Sequence, residues 1–332
     1  MVTLSDLSSS NSLIASTFPA GLVAVFVGAT SGIGEITLKK LAKYSPNLRV
    51  YFIGRSQDAA DRIVAECKAL NPSSEYIFIR ADISLIRVVD KVCNEIKAKE
   101  SALNLLFMSA GVPNMDRAES SEHLHLLAAL NYYSRIRFIM NLLPLIQKAT
   151  SLRRIVTVGG GSRESLFDPT DFPALRVPLP QIRGHLSTLI TLGVEAVAKT
   201  APAVTFVHDH PGTVRTPLLN YMSEETLKTL TFVPLDECGE RHVYLATSAR
   251  FPPSSGASNA VPLKDGDTAA LGATGEIGSG VYSIASDCES ASSTVMELLS
   301  ELRRKGMVEE VWRHTENEFK RIMEQNRNAN ME

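Results

Sequence analysis

Seven residues, Gly28-Ala29-Thr30-Ser31-Gly32-Ile33-Gly34, directly follow an apolar run that ends at Val27. A strand, a glycine-rich turn and a helix start, in that order, bring open backbone N–H groups and the positive end of a helix dipole to one place. That is where the pyrophosphate of a dinucleotide docks. Gly28 permits the tight turn, Gly32 lets backbone approach the phosphates, and Gly34 lets helix and strand pack closely; Thr30, Ser31 and Ile33 complete the cradle. The second apolar run ends Phe52-Ile53-Gly54-Arg55-Ser56. A free ribose 2′-hydroxyl asks for a carboxylate near this point. The chain offers a guanidinium and a hydroxyl, Arg55 and Ser56, which suit a 2′-phosphate through forked, charge-assisted hydrogen bonds. The expected cofactor is therefore NADP(H), favoured over NAD(H).

The elements that must hold this cradle follow from hydrophobic periodicity. Short apolar runs at 22–27, 49–53, 76–80, 104–109, 154–158 and 204–208 alternate with amphipathic stretches at 33–44, 58–70, 85–99, 121–143 and 184–199. Repeated βαβ spacing of this kind predicts an α/β fold, a doubly wound (Rossmann) parallel sheet covered by helices on both faces. With a last edge strand at 281–285 the sheet has about seven strands. Short helices are expected at 221–230 and 237–247, and a loop or lid within 219–280, whose stretch 251–280 is rich in Pro, Gly, Ser and Ala. Two further helices, 290–304 and 308–325, form a helical C-terminal extension. The organisation expected is an N-terminal segment (1–20), one dinucleotide-binding domain (21–285) and the extension (286–332).

Composition narrows the class. With 332 residues, 44% of them hydrophobic, and a net charge of −2, the chain can bury a large core and presents no basic field for nucleic acid or an anionic membrane. No apolar stretch reaches the ~18–20 residues of a membrane helix. Residues 1–18 contain no Lys or Arg, unlike a signal or transit peptide, and the four cysteines show no CxxC spacing. A cytoplasmic protein acting on a small-molecule substrate is expected.

The motifs carry a resemblance. Gly28-xxx-Gly32-x-Gly34 is similar to the glycine motif of the short-chain dehydrogenase/reductase family, with Val27 where a threonine is common. The likeness runs from about residue 22 to 218. Asp82 and Ile83 after the third strand match the position that touches adenine. Ala110 and Gly111 match the end of the family's Asn-Asn-Ala-Gly segment, although Met108 and Ser109 replace both asparagines. Asn131 falls on the family's active-site asparagine. Pro211-Gly212-Thr213-Val214-Arg215-Thr216 resembles the segment that meets the nicotinamide, which brings Pro211, Gly212, Thr213, Val214 and Thr216 into the expected cofactor site. The resemblance also implies association into a homo-oligomer through helices four and five, faces for which the C-terminal extension competes.

One departure is decisive. The family passes a proton through a tyrosine paired with a lysine four residues later, beside a serine on strand five. Here no tyrosine lies between Tyr133 and Tyr221, and none of the eight tyrosines has a lysine four residues on. The serine position falls on Gly160. Ser162, two residues displaced, and His185, with an imidazole that titrates near ~6.5, are the expected substitutes alongside Asn131; Arg183 faces the same crevice in this reading. His208 and His210 share a strand face, but no third ligand is visible and no metal site is expected. The resemblance implies an NADPH-dependent reductase acting on a carbonyl or C=C of an apolar metabolite, in the style of fungal secondary metabolism. Two alternatives stay open: a non-redox cyclase, isomerase or dehydratase, and an NADP(H)-binding regulator without catalysis.

Overall fold

Runs such as Val23-Ala24-Val25-Phe26-Val27 are apolar at every position, which only a strand covered on both faces accommodates. In a computed structural model, which describes residues 2–113, 116–257 and 259–329, seven such strands form one sheet: β1 (Val23–Val27), β2 (Arg49–Gly54), β3 (Glu75–Arg80), β4 (Leu105–Met108), β5 (Arg154–Val158), β6 (Thr205–Asp209) and β7 (Val281–Ile284). Their order is β3-β2-β1-β4-β5-β6-β7 and every pairing is parallel. The chain reverses direction of travel across the sheet between β1 and β4, and the crevice above that switch point is where an open α/β sheet binds ligands.

The helices, in chain order, are α1 (Leu4–Ser12), α2 (Ile14–Thr17), α3 (Gly32–Tyr44), α4 (Gln57–Leu70), α5 (Ile86–Lys99), α6 (Leu126–Ala128), α7 (Ser134–Lys148), α8 (Ile182–Ala198), α9 (Glu224–Lys228), α10 (Leu235–Thr247), α11 (Ser293–Arg304) and α12 (Met307–Ala329). One core cluster lies between the sheet and α1, α3, α4 and α10; the other holds α5, α7, α8, α11 and α12. The expected N-terminal segment is helical: Asn11 is buried and its Nδ2 donates to Glu240 Oε2 of α10 at 2.7 Å. The fourth long helix starts later than periodicity suggested and runs on through Pro144 to Lys148. The described residues of the 251–280 stretch form no regular helix or strand. The stretch wraps the amino ends of β5 and β6, where Thr205 Oγ1 donates to Phe251 C=O (3.1 Å) and Asn259 Nδ2 to Thr150 C=O (3.1 Å).

Helix α8 is apolar on nearly every side because it is sandwiched between the sheet and α12. The C-terminal helices thus cover part of α8 and of the π-turn that precedes α7. Tyr132 Oη bonds Thr315 Oγ1 (2.5 Å), Tyr133 Oη bonds His314 Nε2 (2.7 Å), and the Arg303 guanidinium forks onto Glu195 (2.9 and 2.7 Å). Among the described residues no helix is long and apolar enough to cross a membrane.

Under the carboxyl ends of β5 to β7 lies a buried polar network. His208 Nδ1–H donates to Thr191 Oγ1 (2.8 Å), whose hydroxyl donates to Glu164 Oε1 (2.7 Å). Ser283 Oγ donates to the same oxygen (2.7 Å), and His208 Nε2 accepts from Gly160 N–H (3.1 Å). Burial, with Arg135 and His210 nearby, pushes the His208 imidazole down to about 3 from 6.5, so it is neutral in the fold.

Two outcomes follow. Phe319 of α12 is buried edge-on to Tyr133 with Arg137 over its ring, so Phe319→Ala should cost about 3–5 kcal/mol in denaturant unfolding, against under ~1 if α12 were loosely attached. The unfolded imidazole of His208 protonates below about 6.5 and the folded one does not until far lower. This group's contribution is therefore whole above pH 6.5 and lost as pH falls, by roughly 2 kcal/mol between pH 6.5 and 5. His208→Asn should flatten that part of the stability–pH curve; parallel curves for the two proteins would refute the assignment.

Candidate functional site

At the switch point the carboxyl ends of β1 to β4 open into a groove of ≈ 270 Å³. Its floor is the glycine turn. Gly28 (φ +86°) lies so close to β4 that a Cβ there would be 2.5 Å from Ala110 N and Cα. A Cβ on Gly34 would be 2.5 Å from Gly28 O and 2.6 Å from Ser109 Oγ, so Gly34 seals helix to strand beneath the groove without lining it. Gly32 (φ +61°) faces Thr216, whose Cβ a methyl there would meet at 3.2 Å. Ser31 starts α3 without a side-chain cap bond, so the first-turn amides stay open to an anion. A cradle this tight, with uncapped N–H groups, fits a dinucleotide pyrophosphate.

Of the residues expected to hold the cofactor, Gly28, Thr30, Ser31, Gly32, Ile33, Arg55, Asp82, Ile83, Ala110, Gly111 and Thr216 line this groove together. Asp82 accepts from Ser84 N–H (3.0 Å) and Ser84 Oγ (2.8 Å) through Oδ1, a turn that fixes its carboxylate at the wall. Ser56 is placed differently: its Oγ caps α4, accepting from Ala59 N–H at 3.2 Å. Pro211, Gly212, Thr213 and Val214 stand back from the groove. Val214 is buried and bridges to Val233, and Thr213 C=O accepts from Val233 N–H (2.8 Å), so this segment anchors the wall that Thr216, Pro217 and Leu218 present. Residues the motifs did not single out complete the lining: Val112, Pro113, Leu130, Pro217 and Leu218, all apolar. Ser109 compensates for a missing asparagine amide, its Oγ donating to Gly28 C=O at 3.2 Å.

The adenosine end carries charge. Arg55 stands on the groove wall just past β2, while register pairs Arg80, at the end of β3 and outside the groove lining, with the preceding Gly54. Both are exposed, and among the described residues neither guanidinium has a hydrogen-bond or ion-pair partner. Arg80 was not singled out in the sequence; only strand register brings it beside Gly54.

The proposed proton-transfer residues are not brought together. Asn131 is half-buried in a π-helical turn, Ala129–Tyr133, adjoining Leu130 of the groove; its Nδ2 donates to Leu127 C=O (2.9 Å). Such turns recur at functional sites because they free backbone carbonyls and re-aim side chains. His185 is fully buried instead of facing the crevice. Its Nδ1 accepts from Asp168 N–H (3.3 Å), its Nε2–H donates to Phe172 C=O (3.1 Å), and Phe167 stacks on the ring at 5.0 Å. Burial lowers its pKa, and with both ring nitrogens engaged it pins the 163–181 segment. Arg183 is exposed on the same helix.

Ser162 lies in the left-handed region (φ +61°), outside the groove lining, and its N–H donates to Ser283 Oγ at 2.7 Å. The hydroxyl that occupies the lost serine's place comes from elsewhere: a Cβ on Gly160 would collide with Ser187 Oγ of α8. Beside Asn131, the buried Arg135 guanidinium spans the ends of β4 and β5, also unmarked by any motif. Its spacing of four from Asn131 puts both on one helix face, which is the signal that could have found it.

A family model described as short chain dehydrogenase matches residues 22–164. The chain is 34% identical to the oxidoreductase andH of Emericella variicolor, over 97% of this chain and 98% of that one. It is 30% identical to the short-chain dehydrogenase/reductase SAT2 of Stachybotrys chartarum, over 89% and 91% of the two chains. In fold it is similar to the RhlG/NADP active-site complex of Pseudomonas aeruginosa, with a TM-score of 0.56 at 17% identity over 74% of this chain and 96% of that one. With the parallel sheet, the glycine cradle and full-length relatives in agreement, the chain belongs to the short-chain dehydrogenase/reductase family of oxidoreductases.

Proposed function

We propose that this oxidoreductase uses NADP(H) to reduce a carbonyl or C=C bond of a small to mid-sized apolar metabolite, in fungal secondary metabolism. The observation that carries the cofactor choice is the exposed, unpartnered guanidinium of Arg55 on the wall of the glycine-cradled groove. A 2′-phosphate answers that charge, whereas a bare 2′-hydroxyl does not. When bound, the reduced cofactor supplies a hydride. Asp82 and Ile83 hold the adenine end, the turn from Gly28 to Ile33 holds the pyrophosphate, and Ala110, Gly111 and Thr216 hold the other end. The apolar wall from Val112, Pro113, Leu130 and Leu218 selects an apolar substrate by excluding water from it.

With His185 committed to the 163–181 segment, the proton reaches the substrate from water ordered at Asn131 rather than from an ionisable pair. That favours substrates whose reduced anion is itself stabilised, such as conjugated enones, over simple ketones. The same lack of an acid–base pair is the observation that favours the second reading, a non-redox rearrangement in this pocket; product formed without loss of NADPH would establish it.

Binding titrations test the first reading. Arg55→Asp should raise the Kd of NADPH by at least about tenfold and leave that of NADH within about threefold, the size of a charge-assisted phosphate contact. Unchanged NADPH affinity in Arg55→Asp would remove the phosphate assignment. Cofactor absorbance followed over a panel of enones and ketones should show turnover on the enones first, with His185→Asn lowering the unfolding midpoint while kcat/KM per folded molecule stays within about threefold.

A further inference from the structure

Two arginines are buried among the described residues, and they are not equivalent. Arg154, under the amino end of β5, donates to Leu245 C=O (2.9 Å) and Ser248 C=O (3.0 Å), the last carbonyls of α10. The negative end of a helix dipole thus answers its charge. Arg135, 3% exposed, has no such answer. All five of its N–H donors go to neutral groups: Nε to Leu130 C=O (3.1 Å), Nη1 to Thr157 Oγ1 and Val158 C=O (2.6 Å each), and Nη2 to Ala110 C=O (2.9 Å) and Asn131 Oδ1 (3.5 Å). It forms no ion pair with any described residue; the neighbouring acid, Asp209, is engaged by His242 at 3.0 Å. Burial pushes the guanidinium down to about 10, so it remains charged at neutral pH.

A buried cation whose hydrogen bonds all go to neutral groups, with Asp209 acting on it only at a distance, is costly and marks a place where its field is used. Two of its acceptors, the carbonyls of Ala110 and Leu130, belong to residues that line the groove, at the end away from Arg55 and Asp82. No side chain intervenes at Gly159, which is exposed; a Cβ there would lie 3.6 Å from Nη1. The cation therefore sits one peptide unit behind the wall at which the nicotinamide end of a dinucleotide is expected.

We infer that Arg135 is a fixed charge that makes this site bind the reduced dinucleotide, whose nicotinamide ring is neutral, in preference to the oxidised one, whose ring is cationic. The inference rests on the NADP(H) reading above. It biases the site toward accepting reductant and releasing spent cofactor, without requiring Arg135 to touch either. A purely structural clamp across β4, β5 and the π-turn would affect the two redox forms alike.

Calorimetric Kd values for NADPH and NADP+ decide the matter. In the unaltered protein the ratio of the NADP+ to the NADPH constant should be roughly tenfold, the scale of unit-charge repulsion at partly screened range. Arg135→Met should bring the ratio to within about threefold of unity, while Arg135→Lys should preserve it even if both constants weaken. Should Arg135→Met fail to fold, Gly159→Asp places a carboxylate against the guanidinium with Arg135 in place. It should collapse the ratio, while the neutral control Gly159→Asn should not. A ratio near unity in the unaltered protein, or one unmoved by both Arg135→Met and Gly159→Asp, overturns the inference and leaves the cofactor reading standing. Binding of neither dinucleotide overturns that reading as well.

Discussion

The structure depends on one close crossing, where the turn after β1 lies against the end of β4 with no room for side chains. Gly28 against Ala110, Gly34 against Gly28 and Ser109, and Gly54 against Thr30 leave no space for a Cβ at any of the three glycines. An alanine at Gly28 would need both a left-handed backbone and a shift of β4, and either change would tilt α3 away from the sheet. Because α3 then carries α10, and α10 carries α1, the helical layer on that side is referenced to this crossing. The same contact that makes the sheet dense also exposes the amides of the turn. Packing and anion binding are one constraint.

Ionisable groups in the interior divide by how their cost is met. The Asp209–His242 pair ties β6 to α10 by mutual neutralisation, and Arg154 is met by the end of a helix. Glu164 Oε1 accepts from Thr191 and Ser283 while its buried Oε2 has no hydrogen-bond partner, and burial raises the carboxyl and lowers the His208 imidazole. Arg135 hydrogen-bonds only to dipoles, with Asp209 acting on it at a distance. On α8 Ser187 fills the space over Gly160 and Thr191 joins the buried network. Positive charge at this end of the crevice comes from the preceding helix.

Most of the sheet was legible because buried parallel strands must be apolar throughout, and the helices between them because one face must be. Legibility failed where a residue's surroundings come from distant chain. The Ser-rich start is helical because Asn11 and Leu7 meet α10, a contact no local pattern contains. The 251–280 stretch has a loop's composition, but its destination at the amino ends of β5 and β6 is set by hydrogen bonds to Thr150, Pro202 and Thr205. His185 had a suitable imidazole at a suitable offset, yet the segment before α8 folds back over it and claims both nitrogens.

The sequence by itself determined the family, the sheet and the cradle, because a glycine turn between a strand and a helix has local requirements that seven consecutive residues meet. It also determined what is missing, since a tyrosine with a lysine four residues on is a local pattern whose absence can be read directly. Which groups stand in that place was decided only by tertiary structure. Ser187 reaches Gly160 through the packing of α8 on β5, and Arg135 reaches Ala110 and Val158 across the π-turn. Charge and hydroxyl positions at a site of this kind come from elements far apart in the chain, and only their packing brings them within hydrogen-bond range.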